Sequence, residues 1–471
     1  MSPPNSVQVF VSGACYQDVI LHVDSFPRED AKMRANEVEK RRGGNGANVL
    51  QVLSQFQNPL IRRPGAASAS ATSSDALHPK LSTSLVAVLA GDKDAHGSDS
   101  FILNDLRTNL AAVSLDHCVF RGNGYSEPTA WIVATKTTRT IINHTTLPEL
   151  SHAEFKLSML PAIDRVLKDP SVAESLWFHF EGRNVDQMEQ MVDWLIQRRE
   201  SEVVRAESEG RSGWWKPVDK VGATVVGLAP ELQSVLGRRS PSINSATSNE
   251  GTNAVLSGSV AGVSPGGNAL GKRESKDFTS NASASTSTPT SGTINPASLP
   301  PAVVETPATP LTTQPTSQLP TPQPRLPQFT ISVEFEKPNR PGLDNLLPKV
   351  DVLFFSKWYA EGRGFPNAPT GFLDNIRREC KPGAILFLTW AEQGCFFLVN
   401  EVTRPAQTHH VPAPAIFPVD TIGAGDTFAA GILYSLGVLG MDVRSGCEFA
   451  VRLATAKCAQ VGFDGLAERV F

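Results

Sequence analysis

The chain has 471 residues, of which 40% are hydrophobic and 19% charged, a composition that excludes a wholly disordered protein and predicts at least one sizeable core. Its 43 Lys and Arg against 47 Asp and Glu give a formal net charge of -4, so nucleic acid is not expected as a partner. No apolar run reaches about 18 residues, and the first residues lack a basic stretch followed by an apolar one, so neither a membrane partner nor secretion is expected.

The strands predicted for a central sheet are short apolar or alternating runs rich in β-branched and aromatic residues. In chain order they are residues 7–12, 85–90, 177–180, 331–335, 352–355 and 384–388. Helix-like stretches separate them, and in one of these Val49, Val52, Leu53 and Phe56 follow the spacing of a single buried stripe. The alternation predicts an α/β fold with a mainly parallel central sheet.

Two further alternating runs, residues 19–23 and 131–142, predict a separate small sheet. The break at Lys136, Thr137 and Thr138 predicts a hairpin turn inside the second run. We expect the small sheet to occupy about residues 16–42 and 125–146.

Two insertions interrupt these patterns. Residues 202–328 are mixed at first and then rich in Ser, Thr and Pro, so we expect a long, largely disordered insertion there. Residues 61–82 are rich in Ala, Ser and Pro, and we expect a loop.

A Gly-rich turn that opens an apolar helix carries the clearest chemical signal. Residues 420–428 read Asp-Thr-Ile-Gly-Ala-Gly-Asp-Thr-Phe, and more apolar residues follow. Backbone N–H groups and the helix dipole at such a turn favour a phosphate, and Asp426 could accept a proton there from a hydroxyl nucleophile. For a bare Gly-x-Gly-Asp the alternative is a tight turn whose Asp caps the helix, but the full string favours the phosphate site.

A second Gly-rich segment, residues 41–48, reads Arg-Arg-Gly-Gly-Asn-Gly-Ala-Asn and directly precedes the predicted helix at Val49. Glycines let the backbone approach a ligand closely, and Asn45 and Asn48 can donate to and accept from sugar hydroxyls. Alone, the segment is also typical of a loop at a helix start. Together with the first motif it predicts a substrate loop.

These two segments resemble the Gly-Gly-Asn-x-x-Asn-like and Asp-Thr-x-Gly-Ala-Gly-Asp motifs of the ribokinase-like (pfkB) carbohydrate kinases. Other segments resemble the ketohexokinase (fructokinase) group of that family, and they are residues 139–141, 147–148, 178–184, 332–338, 355–357, 390–394, 457–458 and 462–465. The resemblance implies a three-layer α/β/α core with a small β-sheet lid, in one kinase domain over residues 1–471. It further implies transfer of the γ-phosphoryl group of ATP to a ketohexose, at the C1 hydroxyl of fructose.

The resemblance also implies roles for the matching residues. Asp426 would be the catalytic base, and Gly423, Ala424 and Gly425 would form the anion hole at the nucleotide phosphates. Asp18, Gly44, Asn45 and Asn48 would hold the sugar, and Arg139 would reach from the lid toward the phosphates or the sugar. Trp390, Ala391, Glu392 and Gly394 look like the segment beside the adenine, although a core aromatic is the alternative for Trp390.

Carboxylates at predicted strand ends are the candidates for organising Mg²⁺. Glu181 and the Glu334 to Glu336 pair lie where open α/β sheets place their ligands, and Glu181 would act through water because Mg²⁺ keeps much of its hydration shell. The alternative to a metal role is that these side chains are ordinary solvated carboxylates at strand ends. The Asn-x-x-Glu motif of ribokinase proper is absent near residues 356–359, as it is in ketohexokinases, so the metal partners and a monovalent cation such as K⁺ stay open.

Partners and location complete the expectations. The resemblance implies a homodimer formed through the lid, which would also exclude water from the site. Six scattered cysteines without a Cys-x-x-Cys pair suit a reducing compartment, so free thiols and a cytoplasmic location are expected.

The alternative functions are a kinase of the same fold acting on ribose, adenosine or a 2-keto-sugar acid, and a catalytically silent sugar sensor or scaffold. Ser-Pro and Thr-Pro sites in residues 202–328 could recruit regulatory partners, or the insertion is inert.

Overall fold

A computed structural model describes residues 6–58, 80–93, 100–122, 124–135, 138–168, 175–208, 329–401 and 406–470. The chain divides into two units, and the described residues all belong to the one that comprises residues 1–223 and 321–471. The other unit, residues 224–320, lies outside the described residues.

The strands follow in chain order. They are β1 (Ser6–Ser12), β2 (Tyr16–His22), β3 (Glu37–Gly43), β4 (Lys80–Val86), β5 (Val88–Ala90), β6 (Val113–Ser114), β7 (Val119–Arg121), β8 (Thr129–Ala134), β9 (Arg139–His144), β10 (Ser175–Phe180), β11 (Phe329–Phe335), β12 (Val352–Ser356), β13 (Ile385–Thr389), β14 (Cys395–Val399) and β15 (His409–Val411).

The α-helices are α1 (Asn45–Gln55), α2 (Phe101–Asn109), α3 (His152–Lys168), α4 (Val185–Ser208), α5 (Lys357–Gly362), α6 (Pro369–Ile376), α7 (Ala424–Ile432), α8 (Val443–Cys458) and α9 (Leu466–Val470). Short 3₁₀ turns lie at Leu343–Leu346 and Ala391–Gln393, and a π-helical segment, Leu433–Val438, continues α7.

The central sheet has nine strands in the order β15-β14-β13-β12-β11-β10-β1-β4-β6. Its pairings are parallel except for those of β14 with β13 and with β15. All seven residues of β11 are buried, as expected for a parallel strand covered on both faces. The predicted mainly parallel sheet is confirmed.

Two hydrophobic clusters cover the two faces of this sheet. One contains Val49 of α1, Phe428 of α7 and Phe449 of α8. The other contains Phe155 of α3, Met188 of α4 and Phe372 of α6. Helices therefore pack on both faces, which confirms the three-layer α/β/α core.

The four-stranded sheet β3-β2-β8-β9 is separate from the central sheet. It contains the two alternating runs, and β8 and β9 pair antiparallel as the predicted hairpin. Ile20, Ala130 and Ile132 form a small apolar cluster on one of its faces. Residues 136 and 137 at the hairpin turn lie outside the described residues.

Three predicted boundaries are wrong. The run 85–90 divides into β4 and β5, because Val86 pairs with Ser12, the last residue of β1, and β5 then pairs with β7. Residues 80–82 of the predicted loop begin β4, and residues 61–79 lie outside the described residues. Residues 202–208 of the predicted insertion belong to α4. Glu202 is buried there, and its Oε1 lies 3.2 Å from Nη2 of Arg198, one helical turn earlier. The rest of the predicted insertion, residues 209–328, lies outside the described residues.

The cysteines are all free thiols, and Cys15, Cys380, Cys395 and Cys447 among them are buried. Among the helices of the described ranges, none has the length and apolar character needed to cross a bilayer.

Candidate active site

The turn that opens α7 presents the N-terminus of a helix without a side-chain cap. Gly423, at the N-cap position, has a left-handed φ of 79°, and a Cβ there would collide with the ring of Phe463. A Cβ at Gly425 would meet no atom within 4 Å, so this side of the turn is open. Ala424 N–H donates to the Thr421 carbonyl at 3.3 Å, which closes the turn. Of the three predicted anion-hole residues, Gly425 faces open space, while Ala424 is partly engaged in the turn.

Asp426 is the third residue of α7 and is only 7% exposed. The Asn48 side chain donates from Nδ2 to Asp426 Oδ2 at 2.7 Å. Burial raises the pKa of Asp426 well above its usual range, the charges of Glu334, Glu336 and Glu181 raise it further, and the bond from Asn48 opposes both. A carboxyl with a raised pKa is a better proton acceptor when ionised, which suits a general base.

The predicted substrate loop lies at the start of α1. Gly44 has a φ of 111°, and a Cβ there would collide with the carbonyl oxygen of Ala14, so only glycine fits. Asn45 donates from Nδ2 to Glu334 Oε2 at 3.0 Å and lies 3.5 Å from Glu336 Oε2. Asn48, three residues later on α1, donates to Asp426. Both asparagines thus lie among carboxylates at the carboxyl ends of the sheet strands.

Arg42 anchors Asn48, a role that the sequence did not reveal. Its Nη1 donates to Asn48 Oδ1 at 3.1 Å, its Nε to Asp105 Oδ2 at 2.7 Å and its Nη2 to Gln51 Oε1 at 2.5 Å. Because the Asn48 oxygen accepts from Arg42, its amide nitrogen faces Asp426 as a donor. The guanidinium therefore fixes the orientation of the amide that holds the proposed base.

Asp18 lies in β2 of the small sheet, directly across from Arg41 in β3. A Cβ at Gly43 would overlap the Asp18 carboxylate, so this close approach requires glycine. Burial raises the pKa of Asp18 to about 6, and the charges of Arg41, Arg42 and Arg139 act against that rise. Arg139 itself lies exposed in β9, the edge strand of the small sheet.

The predicted adenine segment has a buried and an exposed part. Trp390 is 2% exposed, belongs to the core cluster that includes Phe372, and has Lys357 Nζ at 5.4 Å from its ring. Its side chain is thus a core aromatic, the alternative stated above. Ala391 and Glu392 are exposed in the 3₁₀ turn that follows, while a Cβ at Gly394 would overlap the Val411 carbonyl. The exposed pair is the part of this segment that a nucleotide can reach.

Buried carboxylates gather beside Asp426. Glu181 accepts from Ala14 N–H at 3.1 Å and lies 3.7 Å from Arg183, and burial raises its pKa to about 7. Glu334 lies 3.1 Å from His179 Nε2, and burial raises its pKa to about 7 as well. Burial lowers the pKa of His179 to about 3, so this imidazole is neutral.

The contacts of these carboxylates fit a hydrated Mg²⁺ better than a directly ligated one. Both Glu181 oxygens already face protein partners, and the described residues hold no group of three or more His, Cys, Asp or Glu side chains arranged to bind a metal. Mg²⁺ often reaches proteins through its water shell and substrate phosphates. The contacts of Glu181 agree with the water-mediated role expected from the sequence, which stays a prediction.

The raised pKa of Glu334 predicts how stability depends on pH. Between its ordinary pKa of 4.5 and about 7, the folded chain retains a proton that the unfolded chain has released, so this group costs stability as pH rises through that window. We expect Glu334→Gln, which cannot ionise, to raise the melting temperature by at least about 2 °C at pH 8 and to have little effect near pH 4. Thermal unfolding monitored by circular dichroism at both pH values measures this difference.

The control is Glu468→Gln, because Glu468 is exposed on α9. A Glu334→Gln protein that melts below the wild type at pH 8 would contradict the interpretation.

A buried lysine supports the turn before α7. Lys457, 0% exposed, donates from Nζ to the Asp420 carbonyl at 3.0 Å and to Asp420 Oδ2 at 2.8 Å, and it lies 5.2 Å from the ring of Phe463. Asp420 also accepts from Ile422 N–H at 2.9 Å. Burial acts to raise the pKa of Asp420, but these hydrogen bonds and the Lys457 charge outweigh it and lower the pKa.

Comparisons with known proteins find similarity in the part of the chain that contains α7. Residues 332–468, which include α7 and its turn, match the pfkB family carbohydrate kinases. A 144-residue stretch, 31% of this chain, is 36% identical to ketohexokinase of Mus musculus and spans 46% of that protein, so less than half of the curated relative is matched.

Solved structures extend the likeness over the whole fold. Ribokinase from Giardia lamblia superposes with a TM-score of 0.52 at 10% identity, over 99% of this chain and 97% of that one. Ribokinase from Thermotoga maritima gives a TM-score of 0.49 at 11% identity, over 98% of this chain and 97% of that one. The superposition on the Giardia ribokinase shows a ribokinase-like fold, and residues 332–468 are similar to the pfkB family carbohydrate kinases.

Proposed function

We propose that this protein is an ATP-dependent sugar kinase that phosphorylates a hydroxyl of a ketohexose, with Asp426 as the base. One observation carries the proposal. The bond from Asn48 Nδ2 to Asp426 Oδ2, 2.7 Å long, joins α1 to the uncapped N-terminus of α7, and this contact supports Asp426 as the base beside a substrate loop at residues 41–48.

The chemistry follows from that juxtaposition. Asp426 takes the proton of the acceptor hydroxyl, whose oxygen attacks the γ-phosphorus, and the bond to the β–γ bridging oxygen breaks as ADP leaves. The open N–H groups at the start of α7 stabilise the negative charge on the transferred group. Asp18, Asn45 and Asn48 hold the sugar so that its hydroxyl faces Asp426.

ATP and Mg²⁺ are the proposed cofactors. Burial raises the pKa values of the carboxyls of Glu181, Glu334 and Asp426, so a cation arriving with the nucleotide phosphates would favour their ionised forms. When bound, Mg²⁺ neutralises charge that develops on the phosphates. A monovalent cation such as K⁺ stays a prediction that assays with and without KCl test directly.

The ketohexose, and the C1 hydroxyl of fructose within it, rest on the similarity to mouse ketohexokinase. We test the function by measuring ATP consumption with Mg²⁺ against fructose, tagatose, sorbose, ribose, adenosine and 2-keto-3-deoxygluconate. Turnover that is highest with fructose or a close ketose supports the proposal. Highest turnover with ribose, adenosine or the keto acid would mean that this compound, rather than a ketohexose, is the substrate. Thermal shifts on ligand addition without any turnover would favour a silent sugar sensor.

The small sheet is the proposed dimer interface as well as the lid. Trp131, Ile142 and Val38 lie on one of its faces by register and are 48%, 60% and 57% exposed. Exposed apolar side chains grouped on one face are typical of an interaction surface. The proposed partner is a second copy of the chain in the cytoplasm; regulatory partners of residues 202–328 involve a segment outside the described residues.

We expect the wild type to sediment as a dimer and Ile142→Glu to sediment as a monomer, because a buried charge at the interface has no partner. Sedimentation equilibrium measures both. Leu157→Glu, an apolar-to-acidic change at a 79% exposed residue of α3 outside the small sheet, is the matched control and should leave the dimer intact. A monomeric wild type would reject the interface.

A further inference from the structure

Two consecutive arginines, Arg41 and Arg42, lie near the end of β3, and they extend to opposite sides. Neighbouring side chains of a strand point to opposite faces. Arg42 is fully engaged with Asp105, Asn48 and Gln51, and its side chain is 2% exposed. Arg41 lies on the other face, across from Asp18 in the register of β2 and β3. Arg41 therefore faces the proposed sugar site.

Arg41 is incompletely satisfied. Its Nη1 lies 3.7 Å from Glu39 Oε1 and 4.0 Å from Asp420 Oδ2, which are ion-pair separations rather than hydrogen bonds. Its Nη2 is buried and has no hydrogen-bond partner within the described residues. A buried donor without an acceptor costs about 1–3 kcal/mol, and more when charged. The guanidinium is thus held with donors available to a ligand that brings its own oxygens.

The position of Arg41 identifies which oxygens those are. On one side lies Asp18, where the sugar is proposed to bind, and after burial the Arg41 charge has the largest influence on the pKa of Asp18. On the other side lies Asp420, whose turn leads within three residues to Gly423 and the N-terminus of α7. A group transferred between the nucleotide and the sugar passes between these two sites.

We propose that Arg41 is a catalytic residue that donates hydrogen bonds to the oxygens of the phosphoryl group during its transfer. The inference rests on the proposed kinase function and adds a residue to it. Arg41 keeps its protons throughout: the hydroxyl proton goes to Asp426, the new bond joins the sugar oxygen to the γ-phosphorus, and the electron pair of the broken bond leaves with ADP. The planar fork of arginine suits the paired oxygens of a phosphoryl group.

The resemblance to the pfkB carbohydrate kinases instead implied that Arg139 reaches from the lid toward the phosphates or the sugar. Arg139 lies exposed on the edge strand β9, whereas Arg41 is 23% exposed and reaches the turn before α7. Arg41 stood beside the Gly-Gly-Asn motif without a role, because arginine before a glycine-rich loop is common and its neighbours Asp18 and Asp420 are remote in sequence.

The test compares Arg41→Gln, Arg41→Lys and Lys40→Gln. Lys40 neighbours Arg41 on the same strand, is exposed and carries the same charge, so its variant controls for the loss of one positive charge. We expect Arg41→Gln to lower kcat about 10²- to 10³-fold, as removal of an oxyanion donor does, with the KM for sugar changed less than about threefold. Arg41→Lys should fall between, and Lys40→Gln should match the wild type.

A second readout does not need turnover. ADP with aluminium fluoride and sugar mimics the phosphoryl group in transfer, so its thermal shift over that of ADP and sugar should be present in the wild type and lost in Arg41→Gln. Unchanged kcat, a raised sugar KM with unchanged kcat, or a retained fluoride-dependent shift would overturn the role of Arg41. A wild type without turnover would reject the kinase function instead. If Arg41→Gln does not fold, Arg41→Lys is judged by the same criteria.

Discussion

Replacing Asp426 with asparagine is expected to reduce turnover to at most about 1% of the wild-type rate while leaving the protein folded and able to bind sugar. A positioned base contributes about 10²- to 10⁴-fold, and an asparagine amide cannot accept the hydroxyl proton. The fold should tolerate the change because the asparagine oxygen can still accept from Asn48 Nδ2, the bond that Asp426 makes at 2.7 Å. The change also removes a buried carboxyl with a raised pKa, so stability should not fall.

Steady-state ATP consumption measures the rate, thermal unfolding measures folding, and calorimetric titration with fructose measures binding. The matched control is Glu448→Gln, a carboxylate on the exposed side of α8 whose side chain is 51% exposed and pairs with Arg444 at 3.7 Å. It should keep the wild-type rate. More than a tenth of wild-type turnover in Asp426→Asn would remove Asp426 from the role of base.

The parts of the fold that the sequence predicted well are those fixed by local patterns. β1, β10, β11 and β12 contain the predicted runs and β13 begins one residue into its run, because strands of a covered sheet are rich in β-branched and aromatic residues. The turn before α7 was equally readable, since Gly423 adopts a backbone conformation that other residues rarely adopt. The residue at which a strand ends could not be predicted from the sequence. The break after Val86 depends on the end of β1, a neighbour that is remote in sequence.

The site divides in the same way. The two glycine motifs identified Asn48 and Asp426 separately, but the bond between them joins residues 378 positions apart. In the sequence, Arg42 and Asp105 look like ordinary surface charges. Only the folded structure buries Arg42 beside α1 and pairs it with Asp105, so that it can orient Asn48. Asn45 was predicted to hold sugar, and its side chain donates to Glu334, a partner that the sequence did not reveal. Side-chain partnerships of this kind arise from tertiary packing, which a single sequence does not encode locally.

The buried pair of Lys457 and Asp420 predicts the second large effect, on stability. Lys457→Met keeps most of the side-chain volume but removes the ammonium, which leaves the Asp420 carboxylate, 12% exposed, with only the more distant Arg41 at 4.0 Å. Removing one member of a buried ion pair costs about 3–5 kcal/mol, so we expect the free energy of unfolding to fall by about that amount. Turnover should fall too, because Asp420 begins the turn that leads to Gly423.

Urea unfolding measures the change, and two variants show whether the charge pair causes it. In the double variant Lys457→Met with Asp420→Asn no uncompensated charge remains, so part of the stability should return. Lys349→Met removes a more exposed lysine that pairs with Glu189 and Asp193, and such a pair contributes about 1 kcal/mol or less. If Lys457→Met costs no more than Lys349→Met, the turn before α7 is held by its backbone and Phe463 packing alone, and Lys457 has no special place in positioning the phosphate site.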